Sequence, residues 1–169
     1  SEKGIQEFGD AAKQLRGGGV AARFALVGNT HPTSRRAVPG ATLLQWAEEG
    51  VVEWWGRRED MPRVMAECHI VCLPSKYGEG VPKVLLEAAA AARPVVATDT
   101  PGCRAVIEDG VQGLLVPAAD SAALAAALRR SVEAPDLRRT MAAAGRTRAR
   151  SEARTAELTT RRNRVCPPL

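Results

Sequence analysis

Along residues 3–15 the apolar side chains Ile5, Phe8, Ala12 and Leu15 recur every three or four positions, the spacing of one buried helix face. The run Gly17-Gly18-Gly19 then supplies residues that leave a helix at low cost. Residues 23–27 predict a buried strand ending at Gly28. A polar, proline-containing loop leads through Pro39 to a short helix over 41–49, and residues 51–55 predict a second strand closed by Gly56. Asp60 stands where a cap is needed for a helix over 61–67, with Pro62 in its first turn. Residues 70–73 form a fully apolar strand running into Pro74-Ser75, followed by a glycine-bearing loop. A helix over 82–92, a strand over 95–98, a short helix over 104–108, a turn at Asp109-Gly110 and a strand over 114–116 come next. Two helices close the pattern, one capped by Asp120 or Ser121 and reaching about Arg130, the other running from Asp136 to about Arg150.

Strands that are continuous apolar runs, alternating with helices, mark a parallel sheet covered on both faces, so the fold class is α/β, doubly wound. Such a domain normally opens with a strand, whereas this pattern opens with a helix. The first strand is therefore expected to be missing, the numbered chain beginning just inside a larger protein. One domain is expected over residues 1–150, followed by a basic C-terminal tail over 151–169.

Composition narrows the class. At 169 residues, 45% hydrophobic, 25% charged and 4% aromatic, the chain suits one soluble core. It has no apolar run of about 18 residues and its first four residues lack a signal peptide's apolar stretch, so a cytoplasmic location is expected. Cys68, Cys72, Cys103 and Cys166 show no metal-ligand spacing, with only His31 and His69 to join them, and no metal is expected. Cys68 and Cys72 read as small buried thiols. Residues 129–169 carry 11 Arg against 4 acidic side chains, so the net charge of +5 is C-terminal in origin. This stretch fits an anionic partner or a solvated helix face equally well; no nucleic acid partner is expected.

In open parallel α/β sheets ligands bind beyond the carboxyl ends of the strands. The loop Pro74-Ser75-Lys76-Tyr77-Gly78-Glu79-Gly80-Val81-Pro82 is the richest of those ends. Its glycines let a ligand approach the backbone, and Pro82 at the helix start leaves amides directed at an anion, most naturally a diphosphate. Glu79 in the loop and Glu87 in the second helical turn can flank one crevice, where carboxylates accept hydrogen bonds from the vicinal hydroxyls of sugars and ribose. The competing reading makes Glu79 a solvated loop residue and Glu87 an acid complementing the helix dipole. Arg57 or Arg58 is placed to contact base or phosphate, or to form a surface salt bridge. Trp54 and Trp55 point to opposite faces, so at most one reaches a ligand, and core packing is the favoured reading.

The segment Glu79-Gly80-Val81-Pro82-Lys83-Val84-Leu85-Leu86-Glu87-Ala88 resembles the E-x7-E signature of family 4 (group 1) retaining glycosyltransferases. Lys3-Gly4 resembles the family's lysine-glycine pair, Trp55-Gly56 its strand-end glycine, Arg93-Pro94-Val95-Val96-Ala97-Thr98 its "PVVAT" strand, and Gly110-Val111-Gln112-Gly113-Leu114-Leu115-Val116-Pro117 its "G-x-x-G-L-L-V-P" turn. The likeness runs in order over residues 3–147. It implies GT-B architecture, with this chain as the Rossmann-like, nucleotide-sugar-binding C-terminal half and an N-terminal acceptor domain as its missing partner. It further implies that Glu87 binds the ribose hydroxyls, Glu79 the donor sugar, the stretch Gly80, Val81 and Pro82 the phosphates through its backbone N–H groups, and Lys3 the diphosphate. No Asp-x-Asp metal motif occurs, and no cofactor beyond the nucleotide-sugar donor is implied. The sequence departs from the pattern at Ala92, where glycine is usual, and at Ala105, where Glu is common. A UDP-linked sugar is the expected donor, and the Pro101-Gly102-Cys103-Arg104 run resembles O-antigen and capsule transferases, implying a lipid-linked acceptor at the inner membrane face. A GT-B epimerase of sugar nucleotides, or a basic RNA- or lipid-binding module, remains the alternative.

Overall fold

The structure, a computed structural model, describes residues 3–29, 37–77 and 80–165, the side chains only as far as Thr155. Helix α1 (Ile5–Gly17) leads to strand β1 (Ala25–Leu26), α2 (Gly40–Glu48), β2 (Glu53–Trp54) and α3 (Met61–Glu67). The chain continues through β3 (Val71–Leu73), α4 (Lys83–Ala90), β4 (Val95–Thr98), α5 (Pro101–Arg104), β5 (Gly113–Val116), α6 (Ser121–Glu133) and α7 (Pro135–Val165). All strand pairs are parallel, as the apolar runs require, in two ladders: β1 beside β2, and β3-β4-β5 in that order.

The strands divide their side chains between two cores. Cys72, Val96, Leu114 and Val116 face a core that takes Phe8, Ala12 and Leu15 from α1, Trp46 from α2 and Leu124 and Leu128 from α6. Their neighbours Val71, Val95, Ala97 and Leu115 face the other way, onto Leu85 and Ala88 of α4 and Cys103, Val106 and Ile107 around α5. This period-2 alternation with both faces covered is the doubly wound arrangement. The first core also takes in Phe24 and Val52, so it runs beneath both ladders. Helix α1 reaches α2 at Gly9, where an added Cβ would lie 2.3 Å from the Trp46 ring. The long α7 packs along α4 and α6.

Several boundaries differ from the sequence expectation. The short helix expected over 104–108 forms three residues earlier, as α5, because the Thr100 hydroxyl accepts the Cys103 N–H (3.4 Å) and Pro101 occupies the first turn. Asp60 takes the N-cap position of α3 but caps nothing with its side chain. Its carboxylate instead receives a two-pronged bond from Arg58 (2.7 and 2.6 Å), which holds its pKa down at about 2. Pro82 precedes α4 as its N-cap rather than lying inside its first turn. Helix α7 passes Arg150 and continues through residues 151–165, which were expected to form a tail. No Gly or Pro interrupts the sequence between Arg146 and Cys166, so the backbone carries no stop signal there.

Three helices end on the same device. After α1, α2 and α4 a residue of positive φ turns the chain, and two backbone bonds close the last turn: Gly19 N–H to Arg16 and Val20 N–H to Leu15; Gly50 to Ala47 and Val51 to Trp46; Ala92 to Ala89 and Arg93 to Ala88. In the third case the turning residue is Ala92 at φ 53, the position where the sequence departs from a usual glycine. A Cβ in this conformation costs roughly 1–2 kcal/mol, partly offset by the smaller entropy of the unfolded chain. Ala92→Gly is therefore expected to stabilise the protein by about 0.5–1 kcal/mol and to raise Tm by about 1–4 °C in thermal unfolding. An unchanged or lower Tm would show that the turn bears no strain.

Candidate active site

The carboxyl ends of the strands gather one set of loops. Beyond β1 and β2 the chain is stitched across by Gly28 N–H to Gly56 C=O (2.7 Å), the Arg57 N–H to Asn29 Oδ1 (2.9 Å) and Trp54 Nε1–H to Gly28 C=O (2.8 Å). Trp54 thus serves as a brace, half-buried against the first core. The Trp55 indole N–H donates to Glu53 (3.0 Å), and its ring lies under the Arg58 guanidinium at 5.9 Å. Glu53 also receives two bonds from Arg23 (2.6 and 2.7 Å), and these, with the Trp55 bond, hold its carboxyl down at about 2. Both indoles are engaged in the protein itself. The Arg57 side chain extends into solvent, 72% exposed, with Glu59 at 3.4 Å. The salt-bridge alternative describes Arg58, which is bound to Asp60; Arg57 keeps only a loose pairing.

The β3 end is more tightly built. Thr98, the buried last residue of β4, donates its hydroxyl to the Ser75 carbonyl (2.6 Å), fixing the turn after β3 from one side. From the other side comes the chain just before α1. Gly4 has φ +67, and a Cβ built on it would stand 1.8 Å from the Pro74 carbonyl oxygen. Only glycine fits there, on both counts. The lysine-glycine pair singled out in the sequence thereby seats Lys3, an exposed residue, next to the turn that leads into α4.

Helix α4 begins at Lys83, after Pro82 (φ −70, ψ 121), and no side chain caps it. Gly80 has open space where a Cβ would project, Val81 is 55% exposed and Pro82 is buried beneath them. Glu87 is the fifth residue of α4, in its second turn as expected, 32% exposed, with Lys83 Nζ 3.4 Å from its Oε1. The long separation and the 88% exposure of Lys83 make this a weak surface pair that a ligand hydroxyl can replace. Glu79, the other carboxylate of the signature, lies outside the described residues, as do His31 and Cys166.

Among the described residues no group of three or more His, Cys, Asp or Glu side chains is arranged to hold a metal ion, and no helix is long and apolar enough to cross a membrane. His69 is exposed. Cys68 and Cys72 are half-buried rather than buried, and the desolvation Cys72 meets pushes its thiol up to about 12, so it stays protonated. Sequence reasoning missed the ion pair between Lys76 Nζ and Glu7 Oε1 (2.6 Å), which ties the β3–α4 turn to α1 across 69 positions. Nothing in the local pattern marks it, since the two residues meet only in the fold.

The family profile described as "Glycosyl transferases group 1" matches residues 1–134. The chain belongs to this family. It is 35% identical over 112 residues to the N,N'-diacetylbacillosaminyl-diphospho-undecaprenol alpha-1,3-N-acetylgalactosaminyltransferase of Campylobacter jejuni, the match covering 66% of this chain and 27% of that protein. Its fold is shared with a C-terminal domain of a group 1 glycosyl transferase, LpcC of Francisella tularensis (TM-score 0.75, 24% identity, 86% of this chain and 77% of that one). Anabaena HepE, solved in complex with UDP, superposes with a TM-score of 0.65 at 24% identity over 92% of this chain and 55% of that one. These likenesses confirm the expected α/β GT-B class. The group 1 chain spans about a quarter of the length of the Campylobacter relative.

If Gly4 is what allows Lys3 to lie against the β3 turn, Gly4→Ala is expected to cost at least about 2 kcal/mol, through a forbidden backbone conformation and a backbone clash together. Urea unfolding of the two proteins measures this. A loss below about 0.5 kcal/mol would mean that the chain ahead of α1 is free to move away from Pro74.

Proposed function

We propose that this group 1 domain binds the nucleotide-sugar donor of a retaining glycosyltransferase, with a UDP-sugar as donor and a lipid-linked or surface-polysaccharide acceptor. The observation that carries the reading is the convergence at one sheet edge of an α4 N-terminus without a side-chain cap, Glu87 one turn along it, and the Lys3-Gly4 pair packed on the turn that leads there. Helix-terminal amides and an ammonium group suit a diphosphate, and they suit it best when it leaves. Cleavage of the sugar–phosphate bond places another negative charge on the departing nucleoside diphosphate, and donors already aimed at that oxygen lower the barrier without reorganising. In this reading Lys3, the N–H groups of Gly80 and Val81 and the free N–H groups that open α4 hold the phosphates, Pro82, which has no N–H, setting the entry to that helix; Glu87 holds the ribose hydroxyls and Glu79 the donor sugar, while Arg57, extended beside the neighbouring loops, reaches base or phosphate. Because amides and Lys3 supply the positive charge, binding requires no metal.

The UDP bound by HepE and the undecaprenol-linked name of the Campylobacter relative support donor and acceptor classes of this kind. A lipid-linked acceptor would bring the enzyme to the cytoplasmic membrane face as a peripheral protein. The acceptor side of the cleft would belong to a second domain, so the 169-residue chain by itself is expected to bind donor and not to transfer sugar.

Calorimetry of the full-length protein with UDP and with UDP-sugars, each with and without chelator, tests the reading. Glu87→Gln is expected to weaken UDP by at least about tenfold, equivalent to ~1.4 kcal/mol, since a carboxylate accepting two ribose hydroxyls is replaced by an amide with a donor on one side. Glu79→Gln is expected to spare UDP and weaken only the intact sugar nucleotide. Loss of binding on chelation would overturn the metal-free site, and equal effects of both substitutions on UDP would reverse the assignment of the two carboxylates.

A further inference from the structure

Glu7 and Lys76 form the most shielded ion pair among the described residues, with the Glu7 side chain 12% exposed and the Lys76 side chain 28% exposed. Glu7 Oε2 and, one residue before Lys76, Ser75 Oγ are both buried without a hydrogen-bond partner. Charge enclosed in this way is costly, and replacing such pairs by apolar side chains is often neutral or stabilising. Fold stability is thus a poor reason for this pair to exist. Its placement offers a better one.

Glu7 is the third residue of α1, and side chains on a helix tilt back toward its N-terminus, so its carboxylate reaches over the turn that follows Lys3-Gly4. Lys76 lies two residues beyond Pro74, whose carbonyl Gly4 touches. The backbone contact and the ion pair therefore join the same two segments at two points. One contact acts as a pivot, whereas two fix the orientation as well. One of the joined segments begins with Lys3; the other runs on toward the N-terminus of α4.

Resting on the donor-binding reading above, we propose that Glu7 and Lys76 are positioning residues, fixing Lys3 relative to the α4 amides so that a diphosphate meets both at one set separation. Reach decides whether a cation and a set of amides act on the same pair of phosphates, and a displacement of about 1 Å suffices to lose much of the benefit.

The test uses the full-length protein as wild type, Glu7→Gln, Lys76→Met, Lys76→Arg and the double variant Glu7→Gln/Lys76→Met. UDP and UMP affinities are measured by calorimetry, Tm by thermal unfolding, and backbone hydrogen exchange over residues 74–77 without nucleotide. Glu7→Gln and Lys76→Met are expected to weaken UDP about five- to tenfold while leaving UMP within about twofold and Tm within about 3 °C. The double variant should be no worse than either single one, Lys76→Arg should retain most of the UDP affinity, and exchange over 74–77 should quicken in Glu7→Gln. Unchanged UDP affinity, or equal losses of UDP and UMP accompanied by a fall in Tm, would overturn the proposal, the second outcome making the pair a general support of the fold. If wild type binds neither nucleotide the donor reading fails, and the exchange measurement separately decides whether the pair fixes the segment: quickened exchange in Glu7→Gln shows that it does, unchanged exchange that it does not.

Discussion

Strand β4 is buried along its whole length, and that constraint organises everything around it. A four-residue strand with no exposed face must send Val96 into one core and Val95 and Ala97 into another, so helices have to cover both sides of the sheet. Its last residue, Thr98, brings a polar atom into this apolar setting, where an unmet hydroxyl would be costly. The Ser75 carbonyl answers it at 2.6 Å, so the turn after β3 is set by the polar end of the most buried strand. Lys3-Gly4 and the approach to α4 then assemble on a turn that the core itself holds still.

Much of this was legible in the sequence because it rests on local pattern. The apolar runs at 70–73, 95–98 and 114–116 mark strands since a sheet packed on both faces favours apolar side chains at successive positions, and the helical repeat of Ile5, Phe8, Ala12 and Leu15 survives as the packed face of α1. Glu87 was read correctly as a second-turn residue because Pro82 fixes the helix start to within one position. The failures share a cause. Asp60 looked like a cap, but an arginine two residues earlier competed for its carboxylate, and a two-pronged ionic bond outweighs a single bond to an amide. The short helix expected over 104–108 starts three residues upstream, where a threonine and a proline fix its first turn. In both cases the deciding partner was a side chain whose choice the periodicity does not encode. The Glu7–Lys76 pair was less legible still, being made by topology alone.

Ala92 and Gly4 show how differently a left-handed backbone is tolerated. At Ala92 the conformation closes a helix, and the methyl group of alanine is the only penalty, a cost the neighbouring bonds Ala92 to Ala89 and Arg93 to Ala88 can outweigh. At Gly4 the same sign of φ coincides with backbone contact to Pro74, so the position is closed to any side chain. Departure from a glycine pattern is thus informative only once space is known as well as φ. By this standard the alanine at 92 is a stability feature at the opposite end of α4 from the candidate site, while the glycine at 4 belongs to that candidate site's frame.

The same distinction separates two kinds of charge at the sheet edge. The Arg23–Glu53 pair and the Asp60 side of the Arg58–Asp60 pair are open to water, where screening leaves little net stabilisation; both carboxyls are held near 2 by direct hydrogen bonds rather than by burial. They steady the β1 and β2 loops and leave Arg57 extended. At the β3 end the carboxylate is the shielded partner, with Glu7 12% exposed and one of its oxygens left unmatched, so the loss of Lys76 would strand it. The two sides of the strand ends thus differ in kind, the Lys3-Gly4 pair packing on the more shielded one and Arg57 extending from the more exposed one.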